Sequence, residues 1–168
     1  MSREYQILAA LRDYLPEYMD AAPQTNLVAA QVVVDYPDLD KMRYPVMLYI
    51  VPEGGSWDVL TTETVNETMT ITVYVLLKNS ETHREMSDMV QAVFDYFAAF
   101  TNAINTDPTL GGVLDDSKIN SFDFYPAITG MTQAVGLEIN MAVQFERASL
   151  VLPGGDVYPG EDVHPVGG

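Results

Sequence analysis

The chain has 168 residues, 24 acidic against 8 basic, and a net charge of −16. A domain of that length buries roughly 70% of its unfolded surface, so it needs no metal or disulfide to fold. The absence of cysteine excludes disulfides, thiolate zinc sites and cysteine nucleophiles, and leaves the redox compartment open. The basic residues, Arg3, Arg12, Lys41, Arg43, Lys78, Arg84, Lys118 and Arg147, are scattered. They form no stripe that could neutralise a run of phosphates, which argues against tight nucleic-acid binding. An acidic surface instead repels DNA and favours solubility.

Residues 3–15 carry Ile7, Leu8, Leu11 and Leu15 at steps of one, three and four, which predicts an amphipathic helix that Pro16 ends or kinks. Its charges leave no apolar run of signal-peptide length, and VMLYIV at 46–51 is too short to span a bilayer. A soluble protein with no membrane partner is expected. Residues 21–26 read as a loop, 27–36 as a segment with a β-rich end, and 35–45 as an acidic loop closed by Pro45. VMLYIV, apolar on both faces, predicts a central buried strand. PEGGSWD at 52–58 reads as a turn. Over 67–78, Met69, Ile71, Val73, Val75 and Leu77 alternate with Thr68, Thr70, Thr72 and Tyr74, which predicts a half-buried strand with Leu76 breaking the polar face.

A long helix is expected next, capped by Ser80 with Glu81 and Glu85 near the positive end of its dipole. Met86, Met89, Val90, Val93, Phe94, Phe97, Phe100 and Ile104 form its broad apolar stripe, read as core. DPTLGG at 107–112 stops it: Asn105 and Asp107 disfavour continuation, Pro108 forbids it, and Gly111-Gly112 permit positive φ. Strands follow at 119–126 and 133–148. In the second, Val135, Leu137, Ile139, Met141, Val143 and Phe145 face one way, and Glu138, Asn140, Gln144 and Glu146 the other. Residues 1–148 therefore read as one α+β domain: a mainly antiparallel sheet packed on one side by an N-terminal helix and one long amphipathic helix. Residues 149–168 form an extended Pro- and Gly-rich tail with no period, disordered or extended unless something holds it. A neighbouring subunit is the expected holder, by strand addition or in a groove, with packing on its own domain as the alternative; Leu150, Val151, Leu152, Val157 and Tyr158 are its apolar anchors.

No catalytic constellation emerges. Gly54-Gly55-Ser56 begins like a nucleophile elbow, but Asp58 occupies the closing glycine position and no helix follows. Asp35, Asp38 and Asp40 lack the glycine, later ligands and final Glu of an EF-hand. The glycines of DPTLGG follow a helix instead of preceding one, and Asp115 and Asp116 come next, so both the dipole and the charge repel phosphate. The sequon Asn66-Glu67-Thr68 has no secretion signal beside it, and the terminal Gly167-Gly168 lacks a ubiquitin-like approach. No enzyme activity, cofactor or metal is expected.

The long helix, DPTLGGVLDDSKI, a short aromatic strand, and a closing strand with VGLEINMAVQFER together resemble the tail terminator and tail completion proteins of tailed bacteriophages, over roughly residues 3–148. The resemblance implies a virion protein, assembled in the host cytoplasm, that forms a homo-oligomeric ring, usually a hexamer. That ring caps the tail tube, joins it to the neck and connector proteins, and lets DNA pass through its lumen. Asp35, Asp38 and Asp40, or Asp115 and Asp116, are candidates to line the lumen. Trp57 is a candidate for a partner contact or a satellite core. The alternatives are another neck, head–tail adaptor or baseplate component, or a small acidic ligand-binding domain or enzyme.

Overall fold

The computed structural model describes residues 2–20, 31–79, 85–129 and 132–148, and the backbone of 150–151 and 157–158. Within these residues the order is α1 (Arg3–Asp20), β1 (Gln31–Val33), a 3₁₀ turn (Leu39–Lys41), β2 (Val46–Val59), β3 (Thr64–Lys78), α2 (Met86–Thr106), β4 (Asp116–Thr129), β5 (Thr132–Ala148), β6 (Leu150–Val151) and β7 (Val157–Tyr158). Five of these strands form one sheet in the order β1-β2-β3-β5-β4, and β6 and β7 form a sheet of their own. Only the β1–β2 pair of the large sheet is parallel. The α+β expectation holds.

Alternation along β3 and β5 places the core. Met69, Ile71, Val73, Val75 and Leu77 on β3, and Val135, Leu137, Ile139, Met141, Val143 and Phe145 on β5, are buried against the helices. The two strands pair from Thr64↔Ala148 to Lys78↔Ala134. Their buried side chains meet Ile7, Leu11 and Leu15 of α1 and Met89, Val93, Phe100 and Ile104 of α2. Each fully buried aliphatic or aromatic side chain stabilises by about 1.5–3 kcal/mol, so this layer dominates the fold. Leu76 has its reason on the opposite face. There it joins Met42, Met47 and Tyr49 in a second small cluster beneath the 34–45 loop.

Several boundaries differ from expectation. Pro16 lies inside α1, which runs on to Asp20. The hydrogen bond lost at Pro16 is offset by packing, because Leu15 and Met19 are buried and the Tyr14 and Tyr18 rings stack at 4.1 Å. Tyr14 also donates to the Ala103 carbonyl of α2 at 2.6 Å. The second helix starts only at Met86, with extended Glu85 before it and no side-chain cap; Ser80 and Glu81 lie outside the described residues. Its stop matches expectation in detail. Asp107 accepts from the Thr109 amide at 3.0 Å, the Thr109 hydroxyl at 2.6 Å and the Gly111 amide at 2.8 Å. Leu110, Gly111 and Gly112 all have positive φ (51°, 74° and 92°). The left-handed cost at Leu110, about 1–2 kcal/mol, is offset by burial of its side chain in the core.

The largest correction concerns PEGGSWD. It is no turn: β2 runs through it to Val59, and the reversal comes at residues 60–63. The glycines serve a bulge between Pro52 and Gly54, with Gly54 at φ 134°. At Gly55 a Cβ would sit 2.4 Å from the Thr68 carbonyl oxygen. The result is an arm, residues 52–63, exposed throughout. Gly55→Ala is expected to cost roughly 1–3 kcal/mol, the usual range for overpacking. A lowered denaturant midpoint with unchanged m-value would register it.

Candidate subunit interface

The helices cover the core face of β3 and β5 and leave parts of the outer strands bare. At the arm, Trp57 is 45% exposed, Val59 72% and Leu60 50%. At the other edge, the bulge between Ile119 and Ser121 shifts the phase of β4, so that Phe122 and Phe124 pair with Ile139 and Leu137 and share the face that α2 packs against. There they meet Phe94 and Phe97. Phe94 lies 6.1 Å from Phe122 and 5.7 Å from Phe124, and Phe97 lies 4.8 Å from Phe122. Phe122 is 46% exposed, Phe124 38% and Phe94 37%. The helical stripe is thus wider than the core it serves, and Phe94, expected inside, sits at the rim. Among the described residues β4 has no strand on its outer side. Lys118, Asp123, the bulge and Pro126 discourage indiscriminate pairing there.

Trp57 belongs to neither buried cluster. Its exposed indole stands over Arg147, whose guanidinium carbon is 5.7 Å from the ring centre. Arg147 forms a buried pair with Glu67, with Nε 2.5 Å away, and a second contact at 3.1 Å to the partly exposed Glu4. Burial is the main reason the Glu67 carboxyl is held above its ordinary value. The neighbouring Glu4 adds to that, and Arg147 opposes it. The strand alternation carries this signal one step past the apolar run. Glu67 is in phase with Met69, and Arg147 with Phe145, so both fall on the core face.

The acidic candidates are not brought together. Asp35 accepts from the Tyr36 amide at 2.8 Å, and Asp38 caps the 3₁₀ turn by accepting from the Asp40 amide at 3.0 Å. Asp35 and Asp38 line a cleft of about 250 Å³ with Lys41, Tyr36 and Tyr49, while Asp40 is exposed. Asp115 and Asp116 are exposed at the start of β4, on the opposite edge of the sheet. Sequence reading passed over a third acidic area, the sheet face away from the helices. Glu138 lies there beside Tyr74 and Tyr125. Burial first, then the Glu138 charge, pushes the Tyr125 phenol up to about 12. The Tyr125 ring lies against Gly136, where a Cβ would be 2.3 Å from it. Of the tail anchors, Leu152 is outside the described residues. The backbones of Leu150 and Val151 pair with those of Tyr158 and Val157.

Among the described residues no three acidic or histidine side chains gather as a metal site, and no helix is long and apolar enough to cross a membrane. No family model and no curated protein matches the chain. Among solved structures it is similar to the PVC sheath/tube terminator of an extracellular contractile injection system in its extended state. The identity is 14% and the TM-score 0.43, over 96% of this chain and 62% of that one. A likeness at that level carries no argument about function.

The ion cluster has a testable pH signature. A carboxyl whose pKa is raised on folding binds its proton more tightly in the native state. Wild type therefore gains stability from this group as pH falls through the raised value towards the unfolded value of about 4.3. Glu67→Gln is expected to remove that gain, so that its Tm drops relative to wild type as pH is lowered through this window. Arg147→Ala strands the buried Glu67 carboxylate at the end of the core and is expected to cost about 3–5 kcal/mol at neutral pH, read by chemical denaturation.

Proposed function

We propose that the chain is a non-catalytic structural subunit whose copies close into a ring, a hexamer on the family resemblance. The ring caps the tube of a phage-type tail and joins it to the neck. The observation that carries this reading is the pair of separate exposed apolar surfaces. Strand rise and spacing put Trp57 about 30 Å from the Phe122–Phe124 patch. A two-fold dimer needs one self-complementary patch, whereas a ring needs two different ones on each copy. Exposed aromatic residues of this kind mark association sites more often than plain surface.

Charge supports the same reading. At −16 per copy, and with Glu138, Glu146 and Asp123 on the sheet face away from the helices, a ring would offer DNA a channel wall that does not hold it. The DPTLGG junction supports it through the sequence resemblance. The site of action is then a particle's tail–neck junction, with tube and neck proteins as partners.

The test is tube growth. Added to polymerising tail-tube protein from the same genome, the chain is expected to sit at one end of each tube and arrest elongation. Tubes that elongate equally with and without it would contradict the proposal.

A further inference from the structure

Phe94, Phe122 and Phe124 form an exposed aromatic patch that an assembled ring would cover. We propose that the patch formed by Phe94, Phe97, Phe122 and Phe124 is the docking site for the C-terminal β6–β7 hairpin of a neighbouring copy. This rests on the reading that copies associate, and it names the contact.

The hairpin needs a surface. It is a two-stranded sheet separate from the large one, with two residues in each strand. Such a hairpin is marginal at best in water. Its strand residues, Leu150, Val151, Val157 and Tyr158, are all apolar or aromatic.

The hairpin cannot reach the patch of its own chain. Leu150 and Val151 follow Ala148, the last residue of β5, by two and three positions. At the maximum span of about 3.5 Å per residue they lie within about 10 Å of it. Tyr158 and Val157 are their register partners, one strand spacing of about 5 Å away. The patch is much farther back along β5. Phe122 and Phe124 pair with Ile139 and Leu137, which stand about 30 Å and 37 Å of strand before Ala148. The tail and the arm instead leave the domain at one end, since Ala148 pairs with Thr64 at the base of the arm's turn. The patch lies towards the other end. A tail end that meets the patch end of the next copy is a head-to-tail contact, the kind that propagates and can close.

Because the chain has no cysteine, a cross-link tests this directly. Full-length Phe124→Cys and Val157→Cys variants are mixed and oxidised with copper–phenanthroline. The expected result is a covalent dimer containing one of each, absent when either variant is oxidised alone. The double variant is expected to give a ladder of linked chains. A cross-link within a single chain, or none in the mixture, would overturn the docking. Chains ending at Ala148 and at Tyr158 supply a second arm. Loss of every species heavier than one chain is expected for the first, with native circular dichroism retained, and no loss for the second. Assembly that survives removal of residues 149–168 would overturn it as well. A closed wild-type oligomer without the cross-link means that the docking is wrong and the ring stands. The cross-link with only open chains means that the docking stands and the ring falls.

Discussion

The architecture depends on a mismatch of length between its strands and its helices. β5 has 17 residues and β3 has 15, so they span about 58 Å and 51 Å. α2, at 21 residues, spans only about 31 Å. Two helices laid on one face are enough to bury the core side of the central pair. They are not enough to cover the extension of β2 beyond its bulge or the aromatic half of β4. The exposed arm and the exposed phenylalanines are what remains. The same burial that stabilises the centre therefore determines where apolar side chains stay exposed.

The charged and glycine-bearing motifs serve this architecture. DPTLGG turns the chain from α2 towards β4, with Asp107 occupied by its own turn. GGSWD bends a strand so that it can continue as an arm. Arg147, with Glu67 and Glu4, closes the arm end of the core with one cation between two carboxylates. That is a costly group to bury, retained where a strand pair, a helix start and Trp57 converge.

Much of this was legible in the residues. Period-two alternation located β3 and β5 and their buried faces, because a one-residue slip would turn the whole apolar set outward. The helical stripe of α2 and its stop were legible for the same local reason. The arm was not, because Gly-Gly after proline is local evidence for a turn, and only pairing with β3 shows that the strand continues. The Phe patch was hidden because the bulge after Ile119 shifts the phase of β4, and because helical spacing alone does not say where a stripe outruns its core. Pro16 does not end α1 for a tertiary reason, since contacts of Leu15 and Met19 outweigh one lost hydrogen bond. The ion cluster lay one step of alternation beyond the residues read as strand core.

Two unlike surfaces on each copy imply a closed ring, and the mass of the native assembly measures that most directly. Native mass spectrometry of the full-length chain should show one closed oligomer, a fixed multiple of 18.6 kDa, whose copy number does not change as concentration rises. A monomer at every concentration, or a dimer that grows no further, would contradict it.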